Sequence, residues 1–258
     1  MSDITAVQGG SRLLTGERTV PGIPGENYWF RRHEVVYHAL AARCAGATVL
    51  EAGCGEGYGA AHLAVTAARV LALDYDPPTV RHVACRYPEL NPLHGNLTTL
   101  PLRSSAVDVV VNLQVIEHLW DQEGFLAECR RVLRPGGELL VSTPNRITFS
   151  PGRVIPLNPF HTRELAPSEL DRLLRDAGFE VTSLLGLHHG GRLRELDAKH
   201  GGSLIDAQLA AVLGFLPGEA ALPTGLLADV GSVRATDFDL RADDIDASLD
   251  LVATAVRP

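Results

Sequence analysis

The chain has 258 residues, 45% of them hydrophobic, and a formal charge of −8, which suffices for one large α/β domain with a small cap and requires no second domain. The acidic balance, with no basic run longer than Arg31-Arg32 or Arg130-Arg131, excludes wrapping a phosphate backbone, so no nucleic acid is expected as a partner. Cys44, Cys54, Cys85 and Cys129 form no Cys-x-x-Cys pair, the opening MSDITAVQGG lacks a basic-then-apolar leader, and no apolar run of about 18 residues occurs; disulfide framework, zinc knuckle, membrane insertion and export are all disfavoured, and a cytoplasmic location is expected.

Residues 1–26, rich in Gly, Pro, Ser and Thr, read as a mobile N-terminal lid, and 27–258 as the domain proper. Asn27 to Tyr37 sets Tyr28, Trp29 and Phe30 beside Arg31, Arg32 and His33, and Val35, Val36, His38, Ala39 and Leu40 predict the apolar face of a helix that begins here. A strand follows at 47–52, a helix at 58–68, a strand at 70–73 and a helix at 78–87, which makes two βα units. Ala106 to Leu113 is almost wholly apolar after Asp108, as in a strand covered on both faces of a parallel sheet. A helix over 124–133 is stopped by Arg134-Pro135-Gly136-Gly137 before a strand at 138–142. The segment PSELDRLLRDAGFEV predicts a helix with Ser168 as N-cap, Leu170, Leu173 and Leu174 inside and Gly178 as its stop, then a strand at 180–185. Residues 188–245 read as a cap-like insertion with one helix near 203–213, and a last strand spans 248–256. This alternation predicts a doubly wound, Rossmann-like sheet of about seven strands, with the ligand outside the carboxyl ends of the strands.

The stretch VLEAGCGEGYG at 49–59 runs an apolar strand into Gly53, Gly55 and Gly57, where backbone approaches a ligand closely, and Asp74 ends the next apolar run, where a carboxylate can grip ribose hydroxyls. Alone this serves several nucleoside-like cofactors, and Gly55-x-Gly57-x-x-Ala60 even fits a dinucleotide fingerprint. Four motifs together are more specific. LEAGCGEGYG, LALDYD, GNLTTLPLRSSAVDVVVNLQVIEHL and VLRPGGELLVSTPN resemble, in order and spacing, the class I S-adenosylmethionine-dependent methyltransferases over residues 47–185. The pieces IEH and LRPGG have no counterpart in dinucleotide dehydrogenases. The resemblance implies S-adenosylmethionine as cofactor, with Glu51, Gly53, Cys54, Gly55 and Gly57 along its methionyl part, Asp74 on the ribose diol, Tyr75, Asn96 and Leu97 toward the adenine, and Asn112 and Leu113 touching it by backbone. Asn96 departs from the Asp frequent at that place, though its carboxamide can still accept from the adenine amino group.

Methyl transfer from a sulfonium is an in-line displacement that needs an aligned nucleophile, exclusion of water and, for a hydroxyl, a proton acceptor. His118, directly after the fourth strand, and His161, in NPFHTRE after the fifth, are the candidate catalytic bases; the Glu117-His118 pair recurs in the family with many acceptors, so a supporting role stays open, as does helix capping for His161. Tyr28, Trp29, His33, His188 and His189 are candidate substrate contacts, with anchoring of the lid and plain solvation as their alternatives. Asp197, Asp237 and Asp239 stand near the doublet, yet their spacing specifies no metal. Asn158-Pro159-Phe160 is similar to the tetrapeptide of amino-directed nucleic-acid methyltransferases, but it follows the fifth strand where theirs follows the fourth. TGERTVPGIPGENYWFRRHE and NPFHTREL also look like actinobacterial methyltransferases of polysaccharide synthesis, and a single lysine, Lys199, among 23 basic residues suits a GC-rich source. That resemblance implies transfer to a saccharide hydroxyl, as in the glucose units of methylglucose lipopolysaccharide. Carbon or nitrogen methylation of a small molecule, quinone or lipid and a non-catalytic cofactor-binding subunit are the other readings.

Overall fold

The computed structural model describes residues 19–213 and 222–258; most of the expected lid, residues 1–18, lies outside the described residues. Eight strands form one sheet: β1 (Thr48–Ala52), β2 (Arg69–Asp74), β3 (Asn91–His94), β4 (Val107–Leu113), β5 (Leu133–Pro144), β6 (Glu180–His189), β7 (Phe238–Arg241) and β8 (Asp250–Val256). Their order is β3-β2-β1-β4-β5-β8-β6-β7. β1 to β5 run parallel, and β8 enters antiparallel between β5 and β6. The order reverses beside β1, where β2 lies on one side and β4 on the other, so a crevice opens at the carboxyl ends of these three strands.

The helices are α1 (Asn27–Leu40), α2 (Tyr58–Ala64), α3 (Pro77–Arg86), α4 (Gln122–Val132), α5 (Arg146–Phe149), α6 (Pro167–Asp176), α7 (Gly191–Lys199), α8 (Leu204–Leu213) and α9 (Thr224–Gly231). Because successive strand residues point to opposite faces, Val49, Val109 and Val111 pack with residues of α1 and α2 such as Val36, Leu40 and Leu63. Leu50, Val110 and Val141 pack on the other side with Phe125 and Leu126 of α4 and Leu170 and Leu174 of α6. Burial on both faces is why these strands are nearly continuous in Val, Ile and Leu. No helix among the described residues is long and apolar enough to cross a membrane.

Several expectations need correction. The inward face of α1 is Tyr28, Arg32, Val36, Tyr37 and Leu40, whereas His38 and Ala39 are exposed. A charged residue occupies this face because Arg32 Nε and Nη2 fork onto the carboxylate of Asp250 at 2.6 and 2.5 Å, both partners being buried. Two strands were not expected. β3 is short and carries Pro92, which its edge position tolerates; β7 arises inside 188–245 and pairs antiparallel with an extended β6, so the insertion lengthens the sheet instead of standing clear of it. Ser168 is not the N-cap of α6: Pro167 opens the helix, Ala166 precedes it, and Ala166 N donates to Glu169 Oε2 at 2.8 Å. α4 ends at Val132, but β5 begins at Leu133 and not at 138, so Arg134-Pro135-Gly136-Gly137 lies in an irregular first part of the strand.

Candidate active site

The loop after β1 is shaped by its surroundings as much as by its glycines. Gly53 has φ +93°, and a Cβ there would stand 2.7 Å from Val115 Cγ2; Gly57 has φ +82°, and a Cβ would meet Val83 Cγ2 at 2.9 Å. Only glycine fits either place. Gly53 N and Cys54 N both donate to Leu73 O at 2.9 Å, and Gly55 N donates to Asp74 Oδ2 at 3.0 Å while Asp76 N donates to Oδ1 at 3.0 Å. The loop is thereby drawn onto the carboxylate that ends β2, and carboxylate oxygens keep lone pairs for further donors.

Beside this loop lies a cleft of about 350 Å³, lined by Gly53, Cys54, Gly55, Asp74, Tyr75 and Leu97 at one end and by Leu113, Gln114, Val115, His118, Leu119 and Phe160 at the other. From the N-terminal side, Thr19, His33, Tyr37 and Tyr58 close over it. No described residue of 188–245 lines it.

The chain's own groups fit a methionine-type nucleoside cofactor. A Cβ built on Gly55 meets nothing within 4 Å, which leaves a cradle at the cleft wall. Behind that wall Glu51 is 1% exposed; Tyr37 donates to its Oε1 at 2.6 Å and its Oε2 has no partner. Burial pushes this carboxyl up to about 8, against the pull of the Tyr37 hydroxyl. An ammonium group is what an orphaned buried carboxylate oxygen accepts best.

Other expected contacts lie apart from the cleft. The Oδ1 of Asn96 accepts from Thr98 N and Oγ1 at 2.9 and 3.0 Å, closing a local turn, and the neighbouring Leu97 is the residue that faces the cleft. Asn112 is wholly buried and its Nδ2 ties β4 to Ala52 O of β1 at 2.7 Å. Tyr28 is fully buried, its hydroxyl 2.7 Å from His189 Nε2, and Trp29 stacks edge-on against it. His189 Nδ1 meets Asp197 Oδ2 at 2.6 Å, so both ring nitrogens have partners inside the fold. His188 is buried on β6 opposite Asp239. Of the expected substrate contacts only His33 reaches the cleft; burial brings its imidazole down to about 4 and keeps it neutral.

The two candidate bases meet at the far end. His118 and His161 stand edge to face with ring centroids 4.9 Å apart, and Glu117 lies beside them. Asn158 to His161 forms the clamp: Asn158 Oδ1 accepts from Phe160 N at 3.0 Å, Phe160 O accepts from His118 Nδ1 at 3.0 Å, and Asn158 Nδ2 lies 3.0 Å from His161 Nε2. His161 Nδ1 meets Glu164 Oε1 at 2.7 Å, both side chains being buried. Thr162 N and Arg163 N then donate to Glu117 O at 2.8 and 3.2 Å, strapping this loop to the end of β4. His161 is thus held behind, and His118 is the imidazole that lines the cleft, with Nε2 as its remaining acceptor. Burial brings His118 down to about 4 and pushes Glu117 up to about 8.

Tyr37, Tyr58, Gln114, Phe160 and Glu164 were not among the expected site residues. Gln114 carries φ +57°, a conformation uncommon for a side-chain-bearing residue, at the strand end where the cleft opens. A sequence signal existed for Glu164, three residues after His161 in HTRE; for the tyrosines, which arrive from a separate helix or face, there was none.

Comparison with known proteins gives three findings. A family model described as a methyltransferase domain matches residues 50–141. A Mycolicibacterium smegmatis protein named "Probable S-adenosylmethionine-dependent methyltransferase" is 64% identical over 248 residues, 95% of this chain and 95% of that one; a Xanthomonas oryzae ubiquinone biosynthesis O-methyltransferase is 27% identical over 55% of this chain and 66% of its own length. Among solved structures, the complex of the Haloferax volcanii Trm112 methyltransferase activator with a methyltransferase superposes with a TM-score of 0.62 at 19% identity, over 91% of this chain and 94% of that chain, which is a likeness of fold.

Proposed function

Because the chain belongs to the S-adenosylmethionine-dependent methyltransferases, whose cofactor is S-adenosylmethionine, we propose that it transfers the methyl group to a hydroxyl oxygen of a saccharide. The observation that carries an oxygen acceptor is the placement of His118 in the same cleft as Gly55 and Asp74, with Nδ1 donating to Phe160 O and Nε2 available to take a proton. Bound here, S-adenosylmethionine would supply an electrophilic methyl and depart as the thioether. Nε2 of His118 would take the proton of the acceptor hydroxyl as its oxygen is methylated, Asp74 would hold the ribose hydroxyls, Glu51 the methionyl ammonium, and His33, Tyr37 and Tyr58 would shield the reacting atoms from water.

The acceptor end is open and aromatic. Phe160 lines the cleft beside His118; a flat apolar face of this kind stacks on sugar rings. A phenolic ring such as a quinone precursor is the competing acceptor, supported by the named role of the Xanthomonas relative. Incubation with methyl-labelled S-adenosylmethionine and a panel of mannosides, glucosides and polyphenols tests the proposal. Label recovered as a sugar O-methyl ether is expected; label on phenols alone, or on nitrogen or carbon, overturns it.

A further inference from the structure

We infer that Glu117, His118 and His161 hold a divalent transition-metal ion at the end of the cleft, and that the acceptor hydroxyl binds at its open coordination position. The inference deepens the reading above and rests on it for the hydroxyl, though not for the ion. One carboxylate oxygen and one nitrogen from each ring all lie within 4.8 Å of one another. Metal–nitrogen and metal–oxygen bonds of about 2.0–2.2 Å set neighbouring ligands roughly 3–3.5 Å apart, so side-chain rotation must close the widest pair by up to about 1.3–1.8 Å.

Each ring is already aimed. His161 Nδ1 engages Glu164 Oε1 at 2.7 Å and His118 Nδ1 donates to Phe160 O at 3.0 Å. A carboxylate or carbonyl behind the imidazole is the arrangement that fixes the tautomer with a lone pair on Nε2 and raises its power as a ligand. Glu117 supplies the counter-charge. It is 1% exposed and accepts from Thr143 Oγ1 at 3.0 Å, and among the described residues no arginine or lysine pairs with it. Buried carboxylates are held by a cation or a metal far more often than left to hydrogen bonds alone. Two imidazoles and one carboxylate match the ligand set of catalytic zinc and of other first-row ions, and suit magnesium poorly. Since His118, Leu119 and Phe160 line the cleft, the remaining position faces it. Loading requires the Asn158 carboxamide to yield His161 Nε2, from which its Nδ2 is now 3.0 Å away.

The ion changes the role of His118. The hydroxyl oxygen would coordinate the metal, which makes it acidic enough to give up its proton to solvent on binding; its lone pair would then form the O–C bond while the S–C pair returns to sulfur, and His118 Nε2 would serve as ligand. The test needs neither cofactor nor acceptor. Chelator-treated full-length protein is titrated with Co²⁺ alone, and visible absorption and calorimetry are recorded. One ion per chain is expected, with the strong absorption of four- or five-coordinate cobalt. Glu117→Gln, which replaces the carboxylate ligand with a neutral amide, and His118→Ala each weaken binding at least 100-fold, whereas the exposed-site control His38→Asn changes it less than twofold. Absence of a stoichiometric ion, or equal binding by wild type and both site variants, overturns the inference. S-adenosylmethionine titrated into the same samples separates the cases: retained cofactor binding without cobalt binding sinks the ion alone.

Discussion

Two pairs of histidines meet opposite fates in one fold. His188 and His189 are adjacent in sequence at the end of β6, and His189 has a tyrosine hydroxyl on one nitrogen and Asp197 on the other. His118 and His161 are 43 residues apart, yet their rings stand edge to face; each is anchored at Nδ1, His161 Nε2 rests against the Asn158 carboxamide, and one nitrogen of each ring lies near a Glu117 carboxylate oxygen. His189 staples the N-terminal helix to β6; of the distant pair, His118 lines the cofactor cleft and His161 stands behind it. Where ring nitrogens end, and not how close the residues lie in the chain, separates a structural imidazole from a chemical one.

Substitution pulls the two pairs apart, and the largest effect falls on turnover. His118→Ala is expected to slow methylation by about 10²- to 10⁴-fold, as loss of a proton acceptor or of a metal ligand does, with cofactor affinity kept within about threefold. Single-turnover rates and calorimetry on the same preparation check this, and an unchanged rate breaks the contrast. His189→Ala should do the reverse. It strands the buried hydroxyl of Tyr28, at about 1–3 kcal/mol, while Asp197 keeps Leu204 N, so the melting temperature falls by roughly 2–12 °C while the rate below the melting transition holds. Asp74→Ala, at the other end of the cleft, removes a carboxylate that anchors Gly55 N as well as the expected ribose contact. Cofactor affinity measured by calorimetry should drop by about 10- to 100-fold, the worth of one charge-assisted hydrogen bond; a smaller change places the ribose elsewhere.

The glycine loop, Asp74 and the central strands were legible because each is local. A parallel strand covered on both faces writes itself as an apolar run, and a turn that admits only glycine writes itself as glycine. β3 was not legible, being four residues with a proline, nor was β7, which exists because β6 continues past Leu185 and offers it an edge. Tyr28 and Trp29 read as stacking surfaces because aromatics announce both burial and recognition. The difference is made by Asp250, which lies 218 residues from Arg32 in the chain: it draws Arg32 inward and turns that face of α1 into the core. Nor does any local pattern join His161 to His118, since the strap from Thr162 and Arg163 to Glu117 is a tertiary contact.

The effect read against pH is the most diagnostic of the cofactor end. Burial holds Glu51 protonated up to about pH 8, far above its ordinary value of 4.5, so the folded protein keeps a proton that the unfolded chain has lost throughout that window. Stability from this group is fully present below pH 4.5 and declines as the pH rises toward 8. Binding runs the other way. An ammonium placed on Oε2 favours the carboxylate, so the cofactor must expel the proton below pH 8, and affinity should rise with pH by up to about tenfold per unit between pH 6 and 8. Glu51→Gln flattens both slopes, and Tyr37→Phe, which deletes the hydroxyl donated to Oε1 at 2.6 Å, moves the inflection in affinity upward because that bond favours the charged form. Calorimetry across the window in two buffers of different ionisation enthalpy counts the proton directly. A wild-type affinity that is flat with pH and releases no proton removes Glu51 from the ammonium and leaves the far end of the cleft, with His118, as the only titrating half of the site.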